Sequence, residues 1–189
     1  MIVGIAGGMC SGKDTVAAIL RDAHCFSLIN SSDMVRRELQ EAGIQISRKS
    51  QRDLANERRR ANGGDYWVRR AYEYVSEQSQ SDRMAIVSLY SVSECRYIQN
   101  EIQGKVIGVE TTDLHLRFER LVNRADGSRD SLTFEEFLER DAAENSGTEE
   151  EDTNIGRVLN LADAIIKNDS DLATLQLLVG ETLRRLNFS

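Results

Sequence analysis

Short apolar segments alternate along the chain with longer stretches in which apolar residues recur every three or four positions. The short segments predict strands over residues 2–6, 26–29, 85–89, 105–109 and 164–166. Strands that alternate with helices are typical of a parallel sheet with helices on both faces. The pattern therefore predicts an α/β fold, a three-layer sandwich around a parallel sheet.

The periodic stretches predict helices over residues 13–22, 32–42, 50–61, 65–78, 92–103, 113–124, 134–143, 155–161 and 171–186. Two of these helices carry several apolar residues on one face, and we assign both faces to the core. The residues concerned are Trp67, Ala71, Tyr74 and Val75 in the first helix, and Leu114, Phe118, Leu121 and Val122 in the second.

Length and composition restrict the class of protein. A chain of 189 residues allows one domain with a substantial core, and we predict a single domain over residues 1–189. The longest apolar run is five residues, so we expect no membrane span. The amino terminus lacks the basic start of a signal peptide. Three cysteines without metal-ligand spacing indicate a reducing compartment, and we expect the cytoplasm.

Charge is unevenly distributed along the chain. The net charge of −7 argues against nucleic acid as a partner. Residues 48–70 hold eight basic and three acidic side chains, which suits an anionic small molecule. Residues 130–152 hold ten acidic side chains and one basic side chain. Within that acidic stretch, residues 145–152 are predicted to form a mobile, solvated loop.

The most specific motif follows the first predicted strand, where four residues separate Gly7 from Gly12 and Lys13. This is the spacing of a phosphate-binding P-loop between a strand and a helix. Glycines let the backbone turn tightly, so that its N–H groups and the positive end of the next helix approach an anion. Lys13 adds a full positive charge for the terminal phosphates. The motif predicts that the chain binds a nucleotide through its phosphates.

One position departs from the usual P-loop, in which a Ser or Thr follows the lysine and its hydroxyl holds Mg²⁺. Here Asp14 follows Lys13, and Thr15 comes one place later. Because a carboxylate is a good Mg²⁺ ligand, directly or through water, we predict that Asp14 faces the metal together with Thr15. The alternative is that Asp14 only stabilises the positive end of the helix.

Arginines flank the expected cleft, and their planar guanidinium groups suit phosphate oxygens. Asp33 begins the helix after the second predicted strand, and Arg36, one turn later, is placed to reach an acceptor phosphate. A second group shares one helical face or follows it in the next loop and helix. Its members are Arg117, Arg120, Arg124, Arg129 and Arg140.

Two segments leave the predicted sheet at the carboxyl ends of its strands, where ligands of open α/β sheets bind. The first holds more than fifty mostly helical residues between the second and third strands. The second is a charged, glycine-containing loop after residue 124. Both can close over a ligand held by the P-loop. We therefore predict a helical acceptor-binding insertion over residues 31–80 and a lid over residues 124–141.

Three motifs together resemble the nucleoside monophosphate kinases, adenylate kinase among them. They are the P-loop at 7–15, the run Ser31-Ser32-Asp33-Met34-Val35-Arg36, and Arg120-x-x-x-Arg124. A fuller similarity, which covers most of the chain, is to archaeal P-loop kinases related to adenylate kinase and dephospho-CoA kinase. It includes the run Arg117, Glu119, Arg120, Glu135, Glu136, Phe137, Arg140 and Asp141, and the end of the chain at 161–168.

The resemblance implies a five-stranded sheet in the order 2-3-1-4-5, ATP with Mg²⁺, and a small-molecule acceptor such as a nucleoside monophosphate. It implies that Arg36 holds the acceptor phosphate and that Arg120 lies against the ATP base or phosphates. The implied catalytic residues, which neutralise the transferred phosphoryl group, are Lys13, Arg124, Arg129 and Arg140. The predicted nucleotide-binding residues are Gly7, Gly8, Cys10, Ser11, Gly12, Lys13, Asp14, Thr15 and Arg120.

The chain departs from these relatives after the third strand. They carry Asp-Gly-x-Arg there, with the Asp at the metal and the Arg at the acceptor phosphate. This chain has Val87-Ser88-Leu89-Tyr90, ahead of Glu94. Three interpretations stay open: compensation by Asp14 at the metal and by Tyr90 or Arg96 at the acceptor, a different acceptor, or impaired transfer. Under compensation, the predicted acceptor-binding residues are Asp33, Arg36 and Tyr90.

We therefore expect an ATP-dependent phosphotransferase that converts a nucleoside or deoxynucleoside monophosphate to the diphosphate. One alternative is dephospho-CoA-kinase-like transfer to a hydroxyl, for which Asp33 would be the base. Another alternative is a nucleotide-binding switch with impaired transfer. Neither nucleic acid nor a membrane is expected as a partner.

Overall fold

Five parallel strands form one sheet in the order β2-β3-β1-β4-β5. The computed structural model describes residues 1–78, 81–123 and 132–188. The strands are β1 (Ile2–Ala6), β2 (Ser27–Asn30), β3 (Met84–Leu89), β4 (Lys105–Glu110) and β5 (Ala164–Lys167). Both the predicted fold class and the strand order implied by the resemblance are confirmed.

Nine helices connect and cover these strands in the described ranges. They are α1 (Lys13–His24), α2 (Ser31–Glu41), α3 (Arg48–Asn62), α4 (Tyr66–Gln78), α5 (Val92–Arg96), α6 (Leu114–Val122), α7 (Phe134–Ala143), α8 (Ile155–Leu161) and α9 (Leu172–Arg185). The predicted helix 92–103 is shorter as an α-helix, because α5 continues as a π-helical turn over Tyr97–Glu101. No helix of the described ranges is both long enough and apolar enough to cross a membrane.

The two faces of the sheet are covered by different helices because successive side chains of a strand point to opposite faces. Val3 and Ile5 of β1 share one buried cluster with residues of α1 and α9. Ala6 and Ile86 belong to a second cluster, on the side of α2, α4 and α8. The result is the three-layer arrangement that the alternation of strands and helices predicts.

The predicted core faces are only partly confirmed. Trp67, Ala71 and Val75 of α4 are buried, and Tyr74 packs against the same cluster. In α6 the prediction is wrong at both ends, since Leu114 is 37% and Val122 is 60% exposed. The reason is that α6 is an edge helix and buries one narrow side against the loop after β1 and α7.

The acidic segment 145–152 is a largely exposed loop, as its composition predicts, and it has several ordered polar contacts. The Asp152 carboxylate accepts hydrogen bonds from the backbone N–H groups of Thr148 and Glu149, both at 3.1 Å. The Glu150 carbonyl accepts from Ser93 N–H at 3.1 Å, and its carboxylate forms an ion pair with Arg96. This loop is therefore held against the start of α5, beside the carboxyl end of β3.

Candidate functional site

The loop between β1 and α1 has the backbone geometry of an anion cradle. The N–H of Ser11 donates to the Gly8 carbonyl at 3.2 Å, which closes a tight turn. Gly12 precedes α1 in a left-handed conformation, with φ at 93°. A Cβ on Gly12 would lie 2.0 Å from the Asn168 side-chain nitrogen, so no larger residue fits there. The first turn of α1 follows directly and directs its free N–H groups into this turn.

The carboxyl-terminal half of the loop is braced from two other strands. Asn168, at the end of β5, donates to the Ser11 carbonyl at 2.9 Å. The Thr111 hydroxyl, just after β4, lies 3.1 Å from the same carbonyl oxygen. Arg120 of α6 donates to the Thr111 hydroxyl at 2.9 Å and to the Asn168 carbonyl at 2.8 Å. Residues far apart in sequence therefore hold the loop in shape.

Arg117 braces the other half of the loop. Its Nε donates to the Met9 carbonyl at 2.8 Å, and its guanidinium group forms an ion pair with Asp141 of α7. The guanidinium carbon also lies 5.4 Å from the centre of the Phe137 ring. Arg117 shares its helix face with Arg120, as the spacing predicts, but its polar contacts are with the protein itself.

One buried hydroxyl of the phosphate loop has no partner among the residues that the structure describes. Ser11 is buried, and its Oγ lacks a hydrogen-bond partner among the described residues. A Cβ on Gly7 would lie 2.4 Å from this oxygen, so the glycine is required for the close approach. Buried hydroxyls are almost always hydrogen-bonded in folded proteins. The described residues therefore bury the Ser11 hydroxyl without satisfying it.

Lys13 and the next two residues lie at the start of α1. The Lys13 ammonium is half-buried and donates to the Gly8 carbonyl at 3.4 Å, across the turn. Asp14 and Thr15 are exposed on the first helical turn. In the described ranges no group of three or more His, Cys, Asp or Glu side chains is arranged to hold a metal. Mg²⁺ held through nucleotide phosphates needs only one or two protein oxygens, and Asp14 and Thr15 fit that requirement.

A cavity of about 280 Å³ opens beside the phosphate loop. Arg120 and Asn168 supply polar groups to its wall, and Leu172 and Leu175 supply apolar surface. The remaining lining residues are Cys10, Gly12, Thr15 and Ser170. Of the predicted nucleotide-binding residues, Cys10, Gly12, Thr15 and Arg120 thus meet at one cavity.

The predicted acceptor residues lie on the other side of the loop. Asp33 and Arg36 form an ion pair within α2, and the Arg36 Nε donates to Gln51 of α3 at 3.2 Å. Tyr90 is half-buried just after β3, where its backbone N–H donates to the Glu94 carboxylate at 2.6 Å. Arg96, the other residue considered for the acceptor, is paired with Glu150.

No sequence pattern predicts the buried ion pair that lies at this edge. Glu94 is fully buried, and its carboxylate accepts from Arg59 of α3 at 3.0 Å and from Ser91 N–H at 3.3 Å. The Arg59 Nε is buried and has no partner among the described residues. The capping pattern of Ser91 and Glu94 was visible in the sequence as Ser-x-x-Glu. No local signal indicated that Arg59, in the middle of a run of basic residues, would be the buried one.

Glu144 is a second residue that sequence reasoning missed. It follows α7, and its carboxylate accepts a hydrogen bond from the Met9 N–H of the phosphate loop. Burial raises the pKa of the Glu144 carboxyl above its usual value, whereas the positive charge of Lys13 acts in the opposite direction. Glu144 is one of ten acidic residues in the stretch 130–152, so composition alone could not distinguish it from its exposed neighbours.

Some of the predicted catalytic residues lie outside the part of the chain that the structure describes. Arg124 and Arg129 lie outside the described residues, as does much of the predicted lid. Arg140 lies in the last turn of α7 and is half-buried. Because α7 carries Asp141 and is followed by Glu144, this helix end lies beside the phosphate loop.

Proteins with related sequences span nearly the whole chain, although no family model matches it. The UPF0200 protein of Methanococcus vannielii is 25% identical over 173 residues, which cover 90% of this chain and 88% of that protein. The UPF0200 protein of Thermoplasma acidophilum is 29% identical over 174 residues, with 92% and 90% covered. The names of these relatives state no activity.

Solved structures share the fold along its full length. TT1252 from Thermus thermophilus superposes with a TM-score of 0.65 and 20% identity, covering 98% of this chain and 97% of that one. Shikimate kinase from Bacteroides thetaiotaomicron superposes with a TM-score of 0.63 and 14% identity, covering 99% and 98%. A putative kinase from Chloroflexus aurantiacus gives 0.60 and 16%, covering 98% and 95%. The chain therefore has the fold of the P-loop kinases.

Proposed function

We propose that this protein is an ATP-dependent phosphotransferase. The observation that carries the proposal is the phosphate loop. It combines a left-handed Gly12, a buried Ser11 hydroxyl that has no partner among the described residues, and the Lys13 ammonium across the turn. Backbone N–H groups, a hydroxyl and an ammonium group at a helix start are the donors that a polyphosphate requires. The strand before this loop and the helix after it match the arrangement that the motif demands.

The two sides of the loop suggest how a nucleotide would lie. The cavity beside Arg120 would hold the base, with Leu172 and Leu175 against its ring. The phosphates would follow Gly7, Gly8, Cys10, Ser11 and Gly12. Mg²⁺ at Asp14 and Thr15 would supply charge neutralisation between the phosphates. Lys13, Arg140 and, from the undescribed segment, Arg124 and Arg129 would stabilise the transferred phosphoryl group.

On the acceptor side, we propose that residues 31–80 are the binding insertion of a single domain and that residues 124–141 are its lid. Asp33, Arg36 and Tyr90 would contact the acceptor, for which a nucleoside or deoxynucleoside monophosphate is our first choice. The resemblance to archaeal relatives of adenylate kinase supports this choice. The cytoplasm is the compartment we expect, and the three cysteines agree with it, since none of them forms a disulfide with another described residue.

Transfer to a hydroxyl group is the second candidate, and one observation favours it. The Asp33 carboxylate forms an ion pair with Arg36 at the start of α2, where it would serve as the base that accepts a hydroxyl proton. Proteins named as shikimate kinase and gluconokinase are among the structures with this fold. Dephospho-CoA, shikimate and gluconate are therefore reasonable acceptors to test. A switch protein that binds ATP without transfer is the third candidate.

A coupled assay of ADP release separates these three functions. The acceptors are the nucleoside and deoxynucleoside monophosphates, dephospho-CoA, shikimate and gluconate, each with Mg²⁺ and ATP. Turnover that depends on one monophosphate supports the first candidate, and turnover that depends on a hydroxyl acceptor supports the second. ATP binding without acceptor-dependent turnover leaves the switch. If ATP does not bind at all, all three are wrong.

A further inference from the structure

Both backbone polar groups of Met9 are held from outside the phosphate loop. The Met9 carbonyl accepts from Arg117 at 2.8 Å, and Arg117 is in turn paired with Asp141 of α7. The Met9 N–H donates to the carboxylate of Glu144, which caps the end of the same helix. The end of α7 therefore contacts the phosphate loop twice, once through an arginine and once through a carboxylate.

The second contact has an unusual feature. The Oε2 of Glu144 is buried and lacks a hydrogen-bond partner among the described residues. An ionised oxygen that loses water without gaining a donor costs free energy, and native proteins seldom leave one so. Lys13 and Arg117 attract this carboxylate, while Asp141 repels it. The Glu144 carboxylate thus lies among charges of both signs, with one oxygen bonded to the phosphate loop and the other without a partner among the described residues.

The same two groups, a loop N–H and the P-loop lysine, are those that a terminal phosphate requires. From this coincidence we infer that the Glu144 carboxylate occupies the place that the terminal phosphoryl group of ATP would take. ATP must then displace Glu144, whereas ADP, which lacks that group, leaves it in position. The residue would therefore determine how strongly the loop discriminates between the triphosphate and the diphosphate. This inference rests on the proposed function.

Glu144→Gln tests the inference, because an amide keeps the size and the acceptor oxygen of the side chain but removes its charge. Isothermal titration calorimetry with Mg²⁺ would measure the Kd of ADP and of the non-hydrolysable ATP analogue AMPPNP. We expect AMPPNP to bind about tenfold more tightly to the variant, since two like charges no longer compete for one site. The Kd of ADP should stay within about twofold of the wild-type value.

Glu139→Gln is the matched control, because Glu139 is an exposed carboxylate of the same helix and its replacement changes net charge equally. Both nucleotides should bind this variant as they bind the wild type. Thermal unfolding of each variant reports whether it is folded, and Glu144→Ala replaces Glu144→Gln if the latter is not. Equal shifts for AMPPNP and ADP, no shift, or weaker AMPPNP binding would each overturn the inference. Failure of the wild type to bind either nucleotide would instead overturn the proposed function itself.

Discussion

The two sides of the cleft are built differently. On the nucleotide side, the phosphate loop is braced by buried hydrogen bonds from Thr111, Asn168 and Arg117. On the proposed acceptor side, α3 has one buried polar anchor, the ion pair of Arg59 with Glu94, and a partly exposed ion pair of Arg58 with Glu38. Among the described side chains of α3, Arg59 is the one that is buried.

We infer from this difference that the protein itself holds the phosphate loop in shape, whereas α3 has fewer buried polar contacts that would resist a movement. Buried hydrogen bonds to a loop resist displacement because their groups have no water to replace the lost partner. Exposed ion pairs exchange readily with water and contribute little to stability. We expect nucleotide binding to depend on single groups of the loop, and acceptor binding to accompany a movement of α3.

We expect the largest effect from Lys13→Ala, which tests whether the phosphate loop binds the nucleotide. Removal of the ammonium group at the helix start should reduce turnover at least about a thousandfold. Binding of a fluorescent ATP analogue should fall with it, while the unfolding midpoint should stay near that of the wild type. Undiminished affinity and turnover would show that the loop is not where the phosphates bind.

A pair of neighbouring arginines tests the acceptor side. Arg59→Met leaves the Glu94 carboxylate buried without its countercharge, which should cost roughly 3 kcal/mol of unfolding free energy. Arg58→Met is the matched control, since that side chain is 35% exposed and water replaces its contacts. Urea unfolding of both variants measures the difference. If both variants unfolded at the same urea concentration, the buried pair would not be what anchors α3.

Asp14→Ser should have an intermediate effect on turnover. This variant tests whether Asp14 faces the metal. If Asp14 holds Mg²⁺, the variant should lose Mg²⁺-dependent turnover by about tenfold or more. The loss should be partly restored at high Mg²⁺ concentration, because a weakened site is filled by mass action. An unchanged rate would leave Asp14 as a residue that only stabilises the start of α1.

Asp163→Asn should give the smallest effect and serves as a reference at the amino-terminal edge of the sheet, opposite the site. Burial alone would raise the pKa of Asp163, but hydrogen bonds from Gln99, Val106 N–H and Lys105 together hold it below its usual value. A lowered pKa adds stability at neutral pH that is lost as the pH falls through the native pKa.

The variant should therefore unfold more easily at pH 7, by about 1 kcal/mol, and should approach the wild type in acid. Urea unfolding at several pH values measures this convergence, and nucleotide affinity should not change. A difference that persisted at low pH would contradict the role of the carboxylate charge.

Local patterns predicted much of this molecule. All five strands lie within one or two residues of the apolar segments, because a buried parallel strand needs a short apolar run. The start of α1 after Gly12 follows from glycine and lysine spacing alone. The prediction of core positions was less accurate in α6. Periodicity indicated an apolar face there, but it could not show that other elements cover only part of that face.

By itself, the sequence determined the fold class, the position of the phosphate loop and the helices around it, because each depends on residues close together along the chain. Which charged residues are buried, and which groups they contact, depends on the tertiary structure. Arg59 meets Glu94 across 35 positions, and Arg117 meets Met9 across 108. Desolvation depends on what surrounds a side chain in space. For this reason, one arginine of a basic run can be buried while its neighbour is partly exposed.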